Sequence, residues 1–463
     1  MTLPECLRVS GDILNIEGWS VPALAARFGS PLYVFSETQL RQNARRIRAA
    51  FEEAWDGPVR VLPSIKANHA LALRLILSQE GMGCDTYGPA ELRGALAGGT
   101  PPELISLNGS FKDRELIAEG IEAGVRITID SSPELALCEE EARRLGTVAK
   151  IRLRVRLWLP QLMYTSETRR DGIPMGIGFQ VAKYGLPGDE VVALGLRALG
   201  SEHLDLTGIH FHSGRHTTDP AAWVAIARGY AAELIRLGEA WGGYVPREID
   251  VGGGLPSATD PVGRRATELR DRPAPPPIEQ HAASIASTLR RTLERGGMDV
   301  SGTVFEIEPG RSLYGDAGIH VATVVNVKHS REPIEFTWIG LDTSQLFLGS
   351  TFIEHSSYPY LVANKAGQAA TWTVDLVGRT CLTDRIVPGA IVPPVEVGDT
   401  VAFVGTGAYD EALSSNFNAL PRPATVLVRG EEAEVIRRAE TIEDVFRRDV
   451  VPARLRESTF EAV

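Results

Sequence analysis

The sequence is poor in cysteine, and its few cysteines are scattered. Its 463 residues include four cysteines, with no CxxC pair and no other spacing typical of a metal site. This pattern is typical of a reducing compartment and argues against a disulfide framework. We therefore expect a cytoplasmic protein without a bound metal ion.

Long apolar runs and clusters of positive charge are also missing. No stretch of about 18 apolar residues occurs, so we expect no membrane-spanning helix. The opening segment MTLPECLRVSGD has no basic region followed by an apolar core, so we expect no signal peptide. The net charge is −11, without a lysine-rich stripe. This charge argues against nucleic acid and anionic membranes as partners.

One pattern repeats over the first two thirds of the chain. A short β-branched run ends in a glycine or polar cluster, and an amphipathic helical segment follows it. The eight candidate strands are VRVLPSI, GCDTYG, LISLNG, VRITID, AKIRLRVRL, LTGIHFHSG, REIDVGGG and TVFEIEPG. Eight such βα units predict an α/β fold of the TIM-barrel type, and an open doubly wound sheet is the alternative.

The last third of the chain has a different pattern of predicted secondary structure. Segments such as IHVATVVNV, TWTVDLV and DTVAFVG are strand-like, with few helical patterns between them. They predict a separate, mostly antiparallel β domain. We place the barrel at residues 36–313 and the β domain at residues 1–35 plus 314–463.

Chemically active residues follow the predicted barrel strands, and function in a TIM barrel collects at these strand ends. They are Lys66, Asp85, Asn108, Arg154, His210, His212, the glycines at 252–254, Glu308 and Arg311. Singly, each has a plain structural explanation, such as a solvated rim lysine or a satisfied core histidine. Those explanations would all have to hold at once, so a shared function is favoured.

The set has a chemical logic. A desolvated lysine loses its proton more easily and can form a Schiff base with an aldehyde. Three glycines after a strand expose N–H groups that suit a phosphate. An acid beside a pyridine nitrogen keeps that nitrogen protonated, and an imidazole can lie against the ring. Together these features predict pyridoxal 5'-phosphate as the cofactor.

The chain resembles the fold-type III pyridoxal phosphate decarboxylases, which include diaminopimelate, ornithine and arginine decarboxylases. The matching segments, in order, are SIKANHALALRLI, GCDTYGPAEL, AKYG, GIHFHSG, IDVGGGLP, EIEPGRSLYGDAG, GRTCLTDRI, VGDTVAFVGTGAY and SSNFNALPRPATVLV. The ordered set covers most of the chain and is specific, although no single segment is. The resemblance implies a barrel plus a β domain of the alanine racemase type, and decarboxylation of an amino acid.

The resemblance also implies roles for matching positions. Lys66 resembles the lysine that binds the cofactor covalently, Glu308 the partner of the pyridine nitrogen, and His212 the residue stacked on the ring. The other implied cofactor contacts are Asp85, Arg154, Gly253, Gly254, Gly310, Arg311 and Tyr409.

Cys381 resembles the acid that protonates the substrate carbon, and it joins Lys66 and His212 as an implied catalytic residue. In the family, this cysteine and the tyrosine-bearing β domain reach into the barrel of a second subunit. The resemblance therefore implies a homodimer with composite sites. A buried small hydrophobic role is the alternative for Cys381.

The segments that read the substrate depart from the family. No arginine lies between Arg331 and Arg379, where diaminopimelate decarboxylases carry one that grips the distal group. Leu382 follows Cys381, where relatives have an acid, and the segment up to Asp384 is one residue shorter than in ornithine decarboxylases.

Candidate substrate contacts are Arg215, which replaces a family serine, Asp384 and Arg311. We therefore expect decarboxylation of an amino acid, or of an intermediate that contains one, with release of carbon dioxide and an amine. Diaminopimelate, or a basic amino acid such as ornithine, lysine or arginine in L or D form, is the alternative substrate. A non-catalytic regulatory homologue and a racemase are less favoured.

Overall fold

The computed structural model describes residues 3–162, 175–213, 217–259, 275–354 and 357–456. Arg215 lies outside the described residues. The chain forms a parallel eight-stranded barrel and a separate, mostly antiparallel sheet. Both parts of the predicted fold are confirmed.

The N-terminal segment belongs to the sheet rather than to the barrel. Its elements are β1 (Leu7–Ser10), β2 (Ile13–Ile16), β3 (Trp19–Ser20), a helix at Val21–Phe28 and β4 (Leu32–Ser36). The first three strands form a small antiparallel sheet, and β4 pairs with two strands that follow the barrel. All five residues of β4 are buried, as expected for an interior strand.

Each of the eight predicted barrel strands overlaps an observed one, and the sixth begins two residues earlier than predicted. They are β5 (Val59–Val61), β6 (Cys84–Thr86), β7 (Ile105–Leu107), β8 (Arg126–Ile129), β9 (Ala149–Arg154), β10 (Leu204–His210), β11 (Glu248–Asp250) and β12 (Val304–Ile307). The Gly83 N–H donates to Val61 O at 2.8 Å and the Asp85 N–H to Pro63 O at 3.1 Å, which joins β6 to β5. The ring is therefore closed, and the open-sheet alternative is wrong.

Helices return the chain from each strand to the next. The main ones are Glu37–Ala54, Leu71–Gln79, Pro89–Ala97, Arg114–Ala123, Ser132–Arg144, Gly188–Leu199, Pro220–Ala240 and Thr288–Arg295, with shorter ones at Met175–Val181, Ile278–Ala282 and Arg311–Tyr314. The first begins where Ser36 Oγ accepts a hydrogen bond from the Gln39 N–H at 3.0 Å. Its Leu40, Ala44, Ile47 and Phe51 recur at helical spacing and are buried. Among the described residues, no helix has both the length and the apolar character that a membrane crossing requires.

The β domain follows directly. Its strands are β13 (Gly318–Ser330), β14 (Phe336–Leu341), β15 (Tyr360–Val362), β16 (Trp372–Val377), β17 (Arg385–Val392), β18 (Thr400–Val404), β19 (Ala424–Arg429) and β20 (Glu432–Arg437), with short helices at Gly349–Glu354, Ile442–Phe446 and Ala453–Arg456. The long strand β13 pairs with β4, β14 and β18, so it ties the sheet to the end of the barrel.

Candidate active site

Lys66 and Asp85 form an ion pair at the carboxyl end of the barrel. Lys66 lies on a single helical turn, Ile65–Ala67, just beyond β5, and Asp85 lies on the neighbouring strand β6. Lys66 Nζ is 2.6 Å from Asp85 Oδ2 and 2.5 Å from Ser64 Oγ. The lysine side chain keeps 42% of its surface accessible, whereas that of Asp85 keeps 2%. A partly exposed lysine therefore pairs with a buried carboxylate.

The two groups hold each other in their charged forms. Burial by itself lowers the pKa of Lys66, but the charge of Asp85, supported by Tyr409 and Glu308, outweighs it and raises that pKa above its ordinary value. Burial by itself raises the pKa of Asp85, but the Lys66 charge and its hydrogen bonds lower it. The sequence argument that a desolvated lysine loses its proton easily does not hold for this pair.

Glu308 is the second buried carboxylate of the site. It lies one residue beyond β12, and its side chain is 3% exposed. Burial raises its pKa to about 7, and the charge of Asp85 adds to this effect. Asn108, from the end of β7, donates to Asp85 Oδ1 at 2.7 Å and also to Glu308 Oε1. One amide thus joins two buried carboxylates that lie far apart in sequence.

Two histidines border Glu308. His210 Nε2 is 3.4 Å from Glu308 Oε1, and His212 Nδ1 is 3.9 Å from Glu308 Oε2. Burial, together with the charge of Arg154, lowers the pKa of His212, and burial lowers that of His210 to about 3. Both imidazoles are therefore neutral, and His212 Nδ1 accepts a hydrogen bond from the Gly253 N–H at 3.1 Å.

The glycine turn after β11 needs its glycines. Gly252 and Gly254 have φ values of +66° and +103°, in the region that L side chains rarely adopt. A Cβ on Gly253 would lie 2.2 Å from the carbonyl oxygen of Glu308. The turn therefore passes close to the Glu308 backbone, with the Gly252 N–H bonded to Asp250 Oδ1 at 2.8 Å and the Gly253 N–H bonded to His212 Nδ1.

A second close approach joins the barrel to the β domain. A Cβ on Gly310 would lie 2.6 Å from Tyr409 Oη. The Tyr409 N–H donates to Ala67 O at 2.8 Å, and Arg311 Cζ is 5.2 Å from the Tyr409 ring centre. Gly310, Arg311 and Tyr409 therefore meet beside the Lys66 turn.

Tyr409 lies against its own barrel, whereas the implied reach of the β domain into a second subunit stays a prediction. Its N–H bonds to the barrel of its own chain. The reason is connectivity, because β18 pairs with the start of β13, which leaves the barrel directly. The Gly407 N–H accordingly reaches Gly315 O at 3.1 Å, and Tyr409 follows two residues later.

Arg154 lies at the end of β9 and is 7% exposed. Its Cζ is 4.7 Å from the ring centre of Tyr184, and its Nε is 4.0 Å from Asp130 Oδ1. Its positive charge acts on His212, as noted above. Arg154 therefore shapes the electrostatics of the site.

Cys381 is an exposed residue of the β domain. It lies in the connection between β16 and β17, and its N–H donates to Asn418 Oδ1 at 2.9 Å. No hydrogen bond or ion pair described for this chain joins it to Lys66. Within the described residues, the barrel cluster and Cys381 therefore share no hydrogen bond or ion pair.

Asp384 organises the Cys381 segment. Its carboxylate is 2% exposed and accepts hydrogen bonds from the Gln345 N–H at 2.8 Å, the Thr380 N–H at 3.0 Å, and the hydroxyls of Thr380 and Ser344. These contacts favour a role in shaping this segment over a role in reading a substrate. Arg215 belongs to a stretch that the structure does not describe.

Sequence reasoning missed a charged network inside the barrel. Arg152 pairs with Asp250 at 2.8 Å and with Glu306, while Arg126 pairs with Glu306 at 2.7 Å and Glu248 at 2.9 Å. The signal was present in IRLR, EID and EIE, where charged and apolar residues alternate. Alternate side chains on a barrel strand point inward, so these charges share the interior.

The family follows from the barrel portion of the chain. Residues 37–315 match the family model described as the pyridoxal binding domain of pyridoxal-dependent decarboxylases. The chain belongs to the pyridoxal-dependent decarboxylases. The match covers more than half of the chain, and it confirms the predicted family, enzyme class and pyridoxal phosphate cofactor.

Curated relatives match over almost the whole chain. The diaminopimelate decarboxylase of Synechocystis is 30% identical over 465 residues, which cover 98% of this chain and 94% of the relative. That of Bacillus subtilis is 29% identical over 441 residues, which cover 94% of this chain and 95% of the relative. Relatives of this decarboxylase therefore share both its barrel and its β domain.

Solved structures share the same architecture. The diaminopimelate decarboxylase of M. jannaschii, in complex with L-lysine, superposes with a TM-score of 0.88 at 27% identity, covering 98% of this chain and all (100%) of that chain. A lysine/ornithine decarboxylase of Vibrio vulnificus superposes with a TM-score of 0.70 at 20% identity, covering 89% of this chain and 97% of that one. The second likeness concerns the fold alone.

Proposed function

We propose that this decarboxylase removes the α-carboxylate of an amino acid as carbon dioxide and puts a proton in its place. The observation that carries the proposal is the Lys66–Asp85 ion pair, which stands at the barrel mouth beside a second buried carboxylate. The glycine turn lies against the Glu308 backbone, and Gly310 lies between Tyr409 and the Lys66 turn. This donor set fits a phosphorylated pyridine aldehyde.

Each of these residues would contact a different part of the cofactor. Lys66 would bind it covalently, Glu308 would pair with the ring nitrogen, and the neutral His212 would lie against the ring. The phosphate contacts would be Gly253, Gly254, Gly310, Arg311 and Tyr409. When bound, pyridoxal phosphate supplies an electron sink for the pair released as the carboxylate leaves.

Proton handling near Lys66 follows from its contacts. The ammonium must lose its proton before its nitrogen can act as a nucleophile. Asp85 Oδ2 and Ser64 Oγ both lie within hydrogen-bond distance of Nζ. A proton can therefore move from Nζ to this pair and return when Lys66 is released. Because Asp85 favours the charged lysine, this proton transfer costs free energy, and it must precede bond formation at Nζ.

Cys381 is proposed as the proton donor to the substrate carbon, supplied by a second copy of the chain. Its exposure on its own protomer and its separation from Lys66 within the described contacts support this arrangement. Asp384 would hold the Cys381 segment in shape through its hydrogen bonds. The proposal therefore includes a homodimer in which Tyr409 acts in its own barrel and Cys381 acts in the partner's.

The substrate is proposed as an amino acid, or an intermediate containing one, that differs from the usual substrates at its distal end. The absence of an arginine between Arg331 and Arg379, and Leu382 after Cys381, support a changed distal contact. Diaminopimelate is the second candidate, because relatives of that name match over 94–98% of the chain. A cytoplasmic location is also proposed, and the four free cysteines support it.

The test is carbon dioxide release from a panel of substrates by the enzyme loaded with pyridoxal phosphate. The panel holds meso-diaminopimelate and the L and D forms of lysine, ornithine, arginine and glutamate, with chiral analysis of the products. Release of carbon dioxide with formation of an amine supports the proposal and ranks its substrates. Inversion of a substrate without carbon dioxide release would identify a racemase, and the Lys66→Ala variant is the inactive control.

A further inference from the structure

Asn108 links two carboxylates to which the proposed function gives different tasks. Its side-chain NH2 donates one hydrogen bond to Asp85 Oδ1 at 2.7 Å and another to Glu308 Oε1. Asn108, Asp85 and Glu308 are 4%, 2% and 4% exposed, so water does not compete effectively for these bonds. Each carboxylate therefore has one oxygen committed to the same amide.

The orientation of this amide is determined by its surroundings. Asn108 Oδ1 accepts hydrogen bonds from Ser106 Oγ at 2.7 Å, Arg152 Nη2 at 3.4 Å and the Thr128 hydroxyl. A reversed amide would turn its NH2 toward the Arg152 donor and its oxygen toward two carboxylates. Only the observed orientation matches donors with acceptors on both sides.

The anchor of the amide is itself rigid. Arg152 is fully buried, and it pairs with Asp250 at 2.8 Å and with Glu306 inside the barrel. An arginine held by two buried carboxylates cannot follow a movement of Asn108 without leaving charges unpaired. The barrel interior therefore fixes Asn108, and Asn108 fixes the carboxylates above it.

The oxygens that do not bond to Asn108 are Asp85 Oδ2 and Glu308 Oε2, and each has its own neighbour. Asp85 Oδ2 accepts a hydrogen bond from Lys66 Nζ at 2.6 Å. Glu308 Oε2 has no bond to Asn108, and it lies 3.9 Å from His212 Nδ1. We propose that Asn108 is a positioning residue that commits Asp85 to Lys66 and leaves Glu308 Oε2 to hold the proton on the cofactor's ring nitrogen. This inference rests on the proposed function, which assigns Glu308 to that nitrogen.

The hydrogen bond from Asn108 affects the protonation state of Glu308. Burial and the charge of Asp85 raise the pKa of Glu308 to about 7. A hydrogen bond donated to a carboxylate stabilises its charged form, so loss of the Asn108 donor raises that pKa further. A protonated Glu308 cannot keep a proton on the ring nitrogen. The charged or titratable groups that surround Glu308 are Lys66, Asp85, Arg152, Arg154, His210, His212 and Asp250.

The test uses the holoenzyme reconstituted with pyridoxal phosphate labelled with ¹⁵N in its ring. The variant is Asn108→Leu, which keeps the number of side-chain heavy atoms and their branching and removes both donors and the acceptor. The matched control is Asn364→Leu in the β domain, where the asparagine donates to Asp399 Oδ1 at 2.6 Å and accepts from the Thr400 N–H at 3.0 Å. The readouts are the ring-nitrogen chemical shift across pH, the dissociation constant of the cofactor, and kcat against KM.

In Asn108→Leu, we expect the ring nitrogen to lose its proton at a lower pH than in the unsubstituted enzyme. We also expect weaker cofactor binding and a fall in kcat of ~10–100-fold, as is usual for residues that orient an active group. KM should change less, and Asn364→Leu should leave all three readouts unchanged. An unchanged ring-nitrogen titration in a folded Asn108→Leu overturns the inference.

Two further variants keep the test decisive. If Asn108→Leu does not fold, Thr128→Val removes one donor to Asn108 Oδ1 with little change of shape, and a smaller shift in the same direction is expected. An unchanged titration in Thr128→Val then overturns the inference. Glu308→Gln must also lower the pH at which the ring nitrogen loses its proton. If it does not, the role of Glu308 in the proposed function fails, and this inference fails with it.

Discussion

The barrel and the β domain bury different kinds of side chain. Inside the barrel, Arg126, Arg152 and Glu306 are between 0% and 2% exposed, and both arginines pair with Glu306. The sheet of the β domain is packed with apolar residues on both faces, in two clusters that include Val34, Ile319, Val404, Ile339 and Leu376. Its proposed catalytic group, Cys381, is instead exposed.

This difference follows from geometry and bears on catalysis. Inward side chains of a closed barrel face one another across its axis, so opposite charges can pair there. The barrel that contains these charge pairs also holds Lys66, Asp85 and Glu308 close together, and burial and neighbouring charges shift their pKa values. Among the described residues of the β domain, an ion pair such as Lys365–Asp399, at 2.7 Å, leaves one partner 17% exposed, so the β domain contributes to the site through its connecting segments.

The largest expected effect comes from Lys66, the proposed covalent anchor in the barrel. Lys66→Ala should lower kcat by more than about 10³-fold, because no other group can take the place of the nucleophile. It should also abolish the visible absorption of the lysine-bound cofactor. Absorption spectra and carbon dioxide release measure the two effects. Lys150→Ala, on the exposed side of β9, is the control and should retain both. Persistence of both signals in Lys66→Ala would contradict the assignment.

The next effect concerns Cys381, on the β domain. Cys381→Ala should lower amine formation by about 10²–10⁴-fold, the usual contribution of a proton donor. Cys138→Ala, at a buried cysteine on a barrel helix, should leave kcat unchanged.

Mixing Lys66→Ala with Cys381→Ala sharpens the contrast between the two domains. If each site combines the barrel of one chain with Cys381 of the other, half of the re-paired dimers contain one intact site. Activity should therefore return to roughly a quarter of the unsubstituted level. No recovery between two folded, dimeric variants would argue that Cys381 acts within its own chain.

A third effect compares buried charge in the barrel with exposed charge in the β domain. Arg152→Met should lower the free energy of unfolding by about 3–5 kcal/mol, because it leaves Asp250 buried without its arginine and leaves Glu306 with Arg126 and Arg60 only. Arg422→Met breaks a pair with Glu440 whose side chains are 42% and 24% exposed, and it should cost less than ~1 kcal/mol. Urea titration followed by circular dichroism measures both, and equal costs would remove the distinction.

The smallest effect is a pair of opposite pH dependences in the apoenzyme. Glu308, in the barrel, has a pKa raised from 4.5 to about 7 by burial, so its contribution to stability is full below pH 4.5 and is lost toward pH 7. His320, in the β domain, has a pKa lowered from 6.5 to about 3 by burial, so its contribution is full above pH 6.5 and is lost toward pH 3.

Glu308→Gln should therefore gain stability relative to the unsubstituted protein as pH rises from 4.5 toward 7. His320→Gln should gain relative stability as pH falls from 6.5 toward 3. Each group contributes a slope of at most ~1.4 kcal/mol per pH unit. Thermal unfolding across pH measures both slopes, and the exposed His329→Gln is the control for His320. Equal slopes in all three variants would show that burial does not set these protonation states.

The sequence by itself determined the elements and the chemistry of their ends. Eight β-branched runs separated by amphipathic segments predicted the barrel strands, because burial on both faces requires such runs. Lys66, His212 and Glu308 were recognisable because strand ends of a barrel share one rim. The change after residue 314, from alternating strand and helix patterns to mostly strand patterns, likewise predicted the β domain.

Only the tertiary structure decided how these ends meet. Ring closure brings Asp85 and Glu308, from β6 and beyond β12, onto the single amide of Asn108. Connectivity from β13 to β18 places Tyr409 against its own barrel, and hydrogen bonds turn Asp384 into the interior of its own segment. Local pattern specifies which residues lie at a strand end. Which of them touch depends on barrel radius, side-chain direction and the route of distant strands, and no short stretch of sequence encodes these.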